Sequence, residues 1–279
     1  MASMIALGRR DQETFDALVA ELQEKHHAEV PFKLSRNTLE AAAESFFGFL
    51  SIPQQEKEAL HFFMRPEDRQ GIGYVRKSGA EDEVGRTDFK EYFHYHPKFK
   101  ERFANHAAYT RKETQLFIQA ADEIHTEAVA AMKAILEIMS VEFPQLYKDF
   151  FISSEDYIEY SAIRFLKYEP SGKGNFLARA HYDRGCTTLA LAESAPGLRI
   201  GRDDDGLRAV EHKDNVALFM PAYQLPSLTD ERFNPAWHDV VQASENVYKE
   251  NAARWAIVFF ADAASAIVPT KEASHTPIK

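Results

Sequence analysis

His181 and Asp183 stand two apart in Ala180-His181-Tyr182-Asp183. On a β-strand residues i and i+2 share a face, so the imidazole and the carboxylate aim the same way. His238 follows 55 residues after Asp183, in Asn234-Pro235-Ala236-Trp237-His238 just ahead of the apolar pair Val240-Val241, and is the candidate third ligand. Two imidazoles and one carboxylate suit a first-row divalent metal such as Fe(II). Three protein ligands on one side leave open positions for a bidentate co-substrate and for O2. Arg254 opens the β-rich run Arg254-Trp255-Ala256-Ile257-Val258-Phe259-Phe260. A planar guanidinium there can make a two-pronged bond to a carboxylate, so a dicarboxylic keto acid is its natural guest.

These residues need a scaffold, and the chain changes character near residue 150, with a helical first half and a strand-rich second half. A helix over about 11 to 25 puts Phe15, Leu18, Val19 and Leu22 on one face, and another over about 37 to 50 carries Leu39, Ala42, Ala43, Phe46 and Phe47 toward the core. Ser51-Ile52-Pro53-Gln54 reads as a further helix start with Ser51 as its cap. From Arg111 to about Met139 runs the longest periodic segment, with Phe117, Ala121, Ile124, Ala128, Ile135 and Met139 in a stripe on which a β-core can rest. Strands are expected at 157–168, 177–183, 187–192, 197–200, 215–219 and 255–260, separated by Gly, Pro or Asp turns. Such a series suggests a sandwich or jelly roll.

With 279 residues, 45% of them hydrophobic, the chain can bury a substantial core as a single domain. A net charge of −10 argues against a general binder of nucleic-acid backbones. The single cysteine, Cys186, cannot form an internal disulfide and reads as a small buried filler. The apolar patch at 4–7 is too short for a signal peptide and no run of residues is long enough to cross a bilayer, so a cytoplasmic protein acting on a small molecule is expected. Gly172-Lys173-Gly174 lacks the spacing of a phosphate loop and reads as a turn between strands.

Several ordered motifs resemble the isopenicillin N synthase-like branch of the Fe(II)/2-oxoglutarate-dependent oxygenases. Phe46-Phe47 with Pro53-Gln54-Gln55-Glu56-Lys57, Gly71-Ile72-Gly73-Tyr74 and Asp88-Phe89-Lys90-Glu91-Tyr92-Phe93 are similar to the family's amino-terminal landmarks. Arg164 to Pro170, His181 to Gly185, Thr188 to Leu191, Gly197 to Ile200 and Ala266-Ile267-Val268-Pro269 follow in the family's order. The resemblance implies an α+β chain with a double-stranded β-helix (jelly-roll) core over 151–270, a helical N-terminal region over 1–150 and a long supporting helix, all within one domain spanning 1–279.

It also implies that His181, Asp183 and His238 bind Fe(II), that Arg254 pairs with the distal carboxylate of 2-oxoglutarate, and that Tyr168 is a second hydrogen-bond donor to it. The implied reaction couples O2 and 2-oxoglutarate, released as succinate and CO2, to oxidation of a substrate. Asp183 supplies the carboxylate that halogenating relatives lack, which leaves hydroxylation, desaturation or ring closure. The sequence departs from the family in having Ala256 where a serine usually supports the co-substrate, and in a step of 16 positions from His238 to Arg254 that is longer than usual. The extra segment, about 243–251, is a hairpin extension or a lid. Ala256 keeps open a 2-oxoglutarate-independent oxidase of the same fold; the other alternative is a non-catalytic metal or small-molecule binding module.

Strand parity adds a substrate expectation. A regular strand would put Arg179 on the face of His181 and Asp183, and Arg164 on the face of Tyr168. Buried cations require anionic partners, so Arg179 and Arg164 are candidate contacts for an anionic substrate, the alternative being internal acids such as Glu159 or Glu193. His94 and His96 read as substrate contacts or packing, and His212, in a polar run, as part of a solvated turn.

Overall fold

The computed structural model describes residues 4–65, 71–78, 89–154, 156–249, 251–266 and 273–277. Its first half contains α1 (Gln12–Lys25), β1 (Ala28–Pro31), α2 (Arg36–Leu50), α3 (Gln54–Glu58), β2 (His61–Phe62), β3 (Ile72–Ser78), β4 (Phe89–Tyr95), α4 (Lys98–Phe103), α5 (Lys112–Met139) and α6 (Pro144–Phe150). The second contains β5 (Tyr160–Tyr168), β6 (Phe176–His181), β7 (Thr187–Glu193), β8 (Leu198–Gly201), β9 (Arg208–Ala209), β10 (Val216–Pro221), α7 (Leu225–Leu228), β11 (Trp237–Val241) and β12 (Arg254–Asp262). The strands form an eight-stranded sheet, β1-β10-β7-β12-β5-β4-β3-β2, and a four-stranded sheet, β6-β11-β8-β9. Every pairing is antiparallel, as a jelly roll requires.

The division at residue 150 is less sharp than the sequence implies, because β1 to β4 come from the helical half and flank β10, β7, β12 and β5 of the second half. β1 and β2 are only four and two residues long, too short for a period-2 pattern to declare them. The third helix also begins differently. Pro53 occupies its N-cap position, and the Ser51 hydroxyl donates to the Gly48 carbonyl at 2.6 Å, closing α2 instead of opening α3. Asp88 and residues 267–269 of the family-like motifs lie outside the described residues.

Alternation along each long strand sorts side chains between two cores. Outward from the large sheet, Phe165, Leu189, Phe219, Trp255, Ile257 and Phe259 pack with Phe46, Phe49, Phe117 and Ile135 of α2 and α5. The Phe117 ring sits 5.0 to 5.3 Å from those of Phe46, Phe49, Phe93 and Phe165. Inward, Leu166, Tyr168, Ala190, Leu218 and Met220 meet Leu177, Leu198, Ile200 and Val240 of the small sheet. The 28-residue helix α5 is thus the support its apolar stripe predicts.

One buried ionic knot explains why the amino-terminal motifs occur together. Glu91 of β4 accepts from Lys167 Nζ at 2.8 Å and from the Tyr74 hydroxyl at 2.5 Å, with Lys57 Nζ 3.6 Å away. Lys57 also donates to the Leu50 carbonyl at 2.8 Å, so α3 is tied at once to the end of α2 and to the sheet. These charges are almost fully enclosed, and loss of one partner would strand the others.

Candidate active site

β6 and β11 lie side by side in the small sheet, with His181 directly opposite His238. Both imidazoles have their tautomers set by the backbone two residues earlier: His181 Nδ1–H donates to the Arg179 carbonyl at 2.7 Å, and His238 Nδ1–H to that of Ala236 at 3.0 Å. The Nε2 lone pairs are therefore left to converge on Asp183, each 3.8 Å from one of its oxygens. Ligand atoms of the three residues lie within 4.8 Å of one another. Burial would raise the Asp183 carboxyl, but the two imidazoles, the Thr188 hydroxyl on Oδ2 at 2.8 Å and the Arg164 charge hold it below its ordinary value. Burial and the neighbouring His238 push His181 down to about 3, so it presents a neutral nitrogen. A carboxylate and two imidazoles whose Nδ1–H groups are engaged by the backbone are the donor set a divalent metal needs.

Deeper in the barrel, Arg254 lies opposite Tyr168, with its guanidinium carbon 5.8 Å from the phenol ring. The register of β12 with β5 is unbroken, so Arg254, Ala256, Val258 and Phe260 share the inward face with Tyr168, Leu166 and Arg164. Arg254 is not waiting as an isolated cation: Nη2 contacts the Glu193 carboxylate and Nε donates to the Ala195 carbonyl at 2.8 Å.

The inward placement expected of Arg164 is observed. Its Nε donates to His94 Nε2 at 2.6 Å, and its guanidinium lies 5.0 Å from the Tyr92 ring and 4.6 Å from that of Phe260. His94 can accept because its Nδ1–H faces the Gly71 carbonyl at 2.9 Å, and burial keeps it neutral. Arg179 does not follow its expected parity. The register of β6 against β11 shifts between the His238–His181 and Val240–Ala178 pairs, placing three residue steps on β6 against two on its partner. That bulge turns Arg179 outward, where it is exposed with its guanidinium 5.3 Å from the Phe176 ring.

His212 is also corrected. The run around it is exposed, but its imidazole is buried, with Nε2–H donating to the Ala190 carbonyl at 2.8 Å. His96 is a packing residue, its Nε2 2.9 Å from the Tyr157 hydroxyl. Cys186 is fully buried and its thiol is pushed up by burial, as a filler should be. The Gly172–Gly174 turn is pinned by the Gln242 side chain, which accepts from Ser171 N and Gly172 N at 2.9 and 3.1 Å. In the extra segment, Tyr248 and Lys249 bind Glu44, and the Tyr248 ring lies 5.4 Å from Phe47, which places this part of the segment on α2.

Sequence reasoning missed Thr188 as a support of Asp183 and Glu193 as the partner of Arg254. It also missed Ser274 and His275. The Ser274 carbonyl accepts from Tyr182 N at 2.8 Å and the His275 ring lies 5.9 Å from that of His181, contacts across about ninety residues that no local pattern encodes.

Residues 159–263 match the family model of the 2OG-Fe(II) oxygenase superfamily. No curated protein matches the sequence. Among solved structures, AtDAO1, the dioxygenase for auxin oxidation 1 from Arabidopsis thaliana, in binary complex with 2-oxoglutarate, is 16% identical at a TM-score of 0.65, covering 98% of this chain and 97% of its own. A full-length Neurospora crassa protein in complex with alpha-KG is 17% identical at a TM-score of 0.65, covering 95% and 86%. JOX2 in complex with 2OG, Fe and JA is 18% identical at a TM-score of 0.67, covering 94% and 75%. At these identities the structural likeness establishes the jelly-roll fold. Among the described residues no helix is long and apolar enough to cross a membrane. The stretch that matches the 2OG-Fe(II) oxygenase superfamily model spans His181, Asp183, His238 and Arg254, so the residues that converge here lie within the part of the chain that resembles that superfamily.

Proposed function

We propose that His181, Asp183 and His238 bind the iron, that Arg254 and Tyr168 receive the distal carboxylate of 2-oxoglutarate, and that the protein oxidises a small organic anion by hydroxylation, desaturation or ring closure. The observation that carries this reading is the convergence of two imidazole Nε2 atoms and the Asp183 carboxylate at one end of the barrel. Iron bound there supplies O2 activation, driven by oxidative decarboxylation of the keto acid to succinate and CO2. The chain's own part is orientation. Thr188 fixes the Asp183 carboxylate, the two backbone carbonyls fix the imidazoles, and the inner apolar cluster restricts water.

The anionic character of the substrate rests on Arg164. His94 and the flanking Tyr92 and Phe260 rings hold its guanidinium on the inward face, close enough to Asp183 to lower that carboxyl. A carboxylate-bearing substrate would gain charge-assisted hydrogen bonds from it. Arg179, turned outward, is left to surface contacts beside Phe176.

The reading is tested by supplying Fe(II), 2-oxoglutarate and a panel of small carboxylates with their methyl esters, and by measuring succinate and oxidised product together. Turnover should favour the free acids. Arg164→Ala should raise KM for the best acid by about ten- to a hundredfold, the equivalent of one charge-assisted hydrogen bond, and Arg164→Lys by less. Equal turnover of acids and esters, with an unchanged KM in Arg164→Ala, would contradict an anionic substrate.

A further inference from the structure

Arg254 already has a buried counter-ion. Glu193, the last residue of β7, contacts its guanidinium, and both side chains are almost completely enclosed. Glu193 faces inward because β7 carries an extra residue: β12 pairs Val258 with Ala190 and Ile257 with Ala192, leaving Leu191 unpaired, and Glu193 then falls opposite Ala256. The carboxylate therefore occupies the side of the barrel where the family's serine would stand.

A third group completes the cluster. His212 donates its Nε2–H to the Ala190 carbonyl, so its Nδ1 carries a lone pair. That Nδ1 is buried without a hydrogen-bond partner, 3.6 Å from Glu193 Oε2. Two acceptors that face each other across this distance are one proton short of a hydrogen bond. Burial and the nearby Arg36 keep His212 neutral as it stands. The charged or titratable groups facing the pair are Arg254 on β12, with Tyr168 of β5 beyond it, and Arg36 on α2. Arg36 donates from Nη2 to the Glu193 carbonyl at 2.5 Å and is itself paired with Glu40.

The cluster of Arg254, Glu193 and His212 is thus neutral before a co-substrate arrives. A second carboxylate brought to Arg254 would leave one uncompensated negative charge in an enclosed site, an arrangement that is strongly disfavoured unless a proton accompanies it. We propose that Glu193 and His212 make binding of the distal carboxylate of 2-oxoglutarate proton-coupled, with the pair taking up one proton as the dicarboxylate docks on Arg254. The proton resides between Glu193 and His212 Nδ1 and belongs to the pair. This rests on the reading of Arg254 as the seat of 2-oxoglutarate. It makes Glu193, a residue outside the metal ligands, a determinant of how tightly and at what pH the co-substrate binds.

The test is anaerobic titration calorimetry of the Fe(II)-loaded protein between pH 6 and 8, in pairs of buffers with different protonation enthalpies, which counts protons directly. Two probes are compared: 2-oxoglutarate, and 2-oxobutanoate, which has the same chelating end and no distal carboxylate. Wild-type protein should take up close to one more proton with 2-oxoglutarate than with 2-oxobutanoate, and its Kd for 2-oxoglutarate should weaken about tenfold per pH unit where uptake is complete. Glu193→Gln should remove the extra proton, flatten the pH dependence and tighten binding. The wild-type proton count requires no variant to fold. Equal proton counts for the two probes, or an undiminished extra proton in Glu193→Gln, would overturn the proposal while leaving 2-oxoglutarate binding intact. Binding of 2-oxobutanoate with no binding of 2-oxoglutarate to either protein would instead remove Arg254 as the co-substrate's seat, and the proposal with it.

Discussion

The two faces of the large sheet are built from the same strands and do opposite work. On β12, Trp255, Ile257 and Phe259 face the helices and enter a core dominated by aromatic and aliphatic side chains, while Arg254, Ala256, Val258 and Phe260 face the barrel. The outer face follows the general rules of packing. On the inner side, buried charges and register shifts in β6 and β7 gather the groups proposed to do the chemistry. A period of two separates stability from function residue by residue, so substitutions one position apart should have different consequences.

The largest separation is expected between Asp183→Ala and Phe117→Ala. The first should weaken Fe(II) binding by more than about a hundredfold without lowering the stability of the metal-free protein, as measured by metal titration and thermal melting. The second empties the centre of the phenylalanine cluster and should cost about 3 to 5 kcal/mol of unfolding free energy in urea. A Phe117→Ala protein that still folds should keep its iron affinity; parallel loss of both would break the distinction between the faces.

The outer face also carries a pH dependence of its own. Burial lowers His125 to about 3 and His96 to about 4, so both are neutral in the folded protein at pH 5, while in the unfolded chain they titrate near 6.5. Between those values the unfolded state binds more protons, and stability must fall as pH falls. Urea unfolding of metal-free protein at pH 7 and 5 should show a loss on the order of 3 kcal/mol from the pair, reduced in His125→Gln. Smaller still, Thr188→Ala removes only the hydroxyl that orients Asp183 and should weaken metal binding by about tenfold with little change in melting. At the far end of the scale, Asp11→Ala deletes the N-cap of α1, where the carboxylate accepts from Thr14 N at 2.9 Å, for about 1 kcal/mol of stability and no change in metal affinity.

The outer face was the more legible in the sequence. The stripes of α1, α2 and α5 and the longer strands could be read because burial on one face imposes a period; that His181, Asp183 and His238 come together was expected from their types and spacing, and the placement of Arg254 opposite Tyr168 accords with the family resemblance. Arg179 failed because parity is a property of a regular strand, and a bulge is decided by tertiary pairing that the local sequence does not express. Glu193 was visible as an acid but was considered as a partner for other arginines, since its meeting with Arg254 depends on an extra residue in β7. His212 was misplaced for a related reason: five polar residues in a row suggest a solvated turn, yet one side chain in such a turn can point inward to find a carbonyl.

The most direct test of the central claim is anaerobic mixing of metal-free protein with Fe(II) and 2-oxoglutarate, followed in the visible range for the metal-to-ligand charge-transfer band of a chelated keto acid. The account predicts a band in the parent protein that is lost in His181→Ala and weakened in Arg254→Ala. Iron binding without the band at any accessible concentration of 2-oxoglutarate would contradict it and would point to an oxidase that draws its electrons from another source.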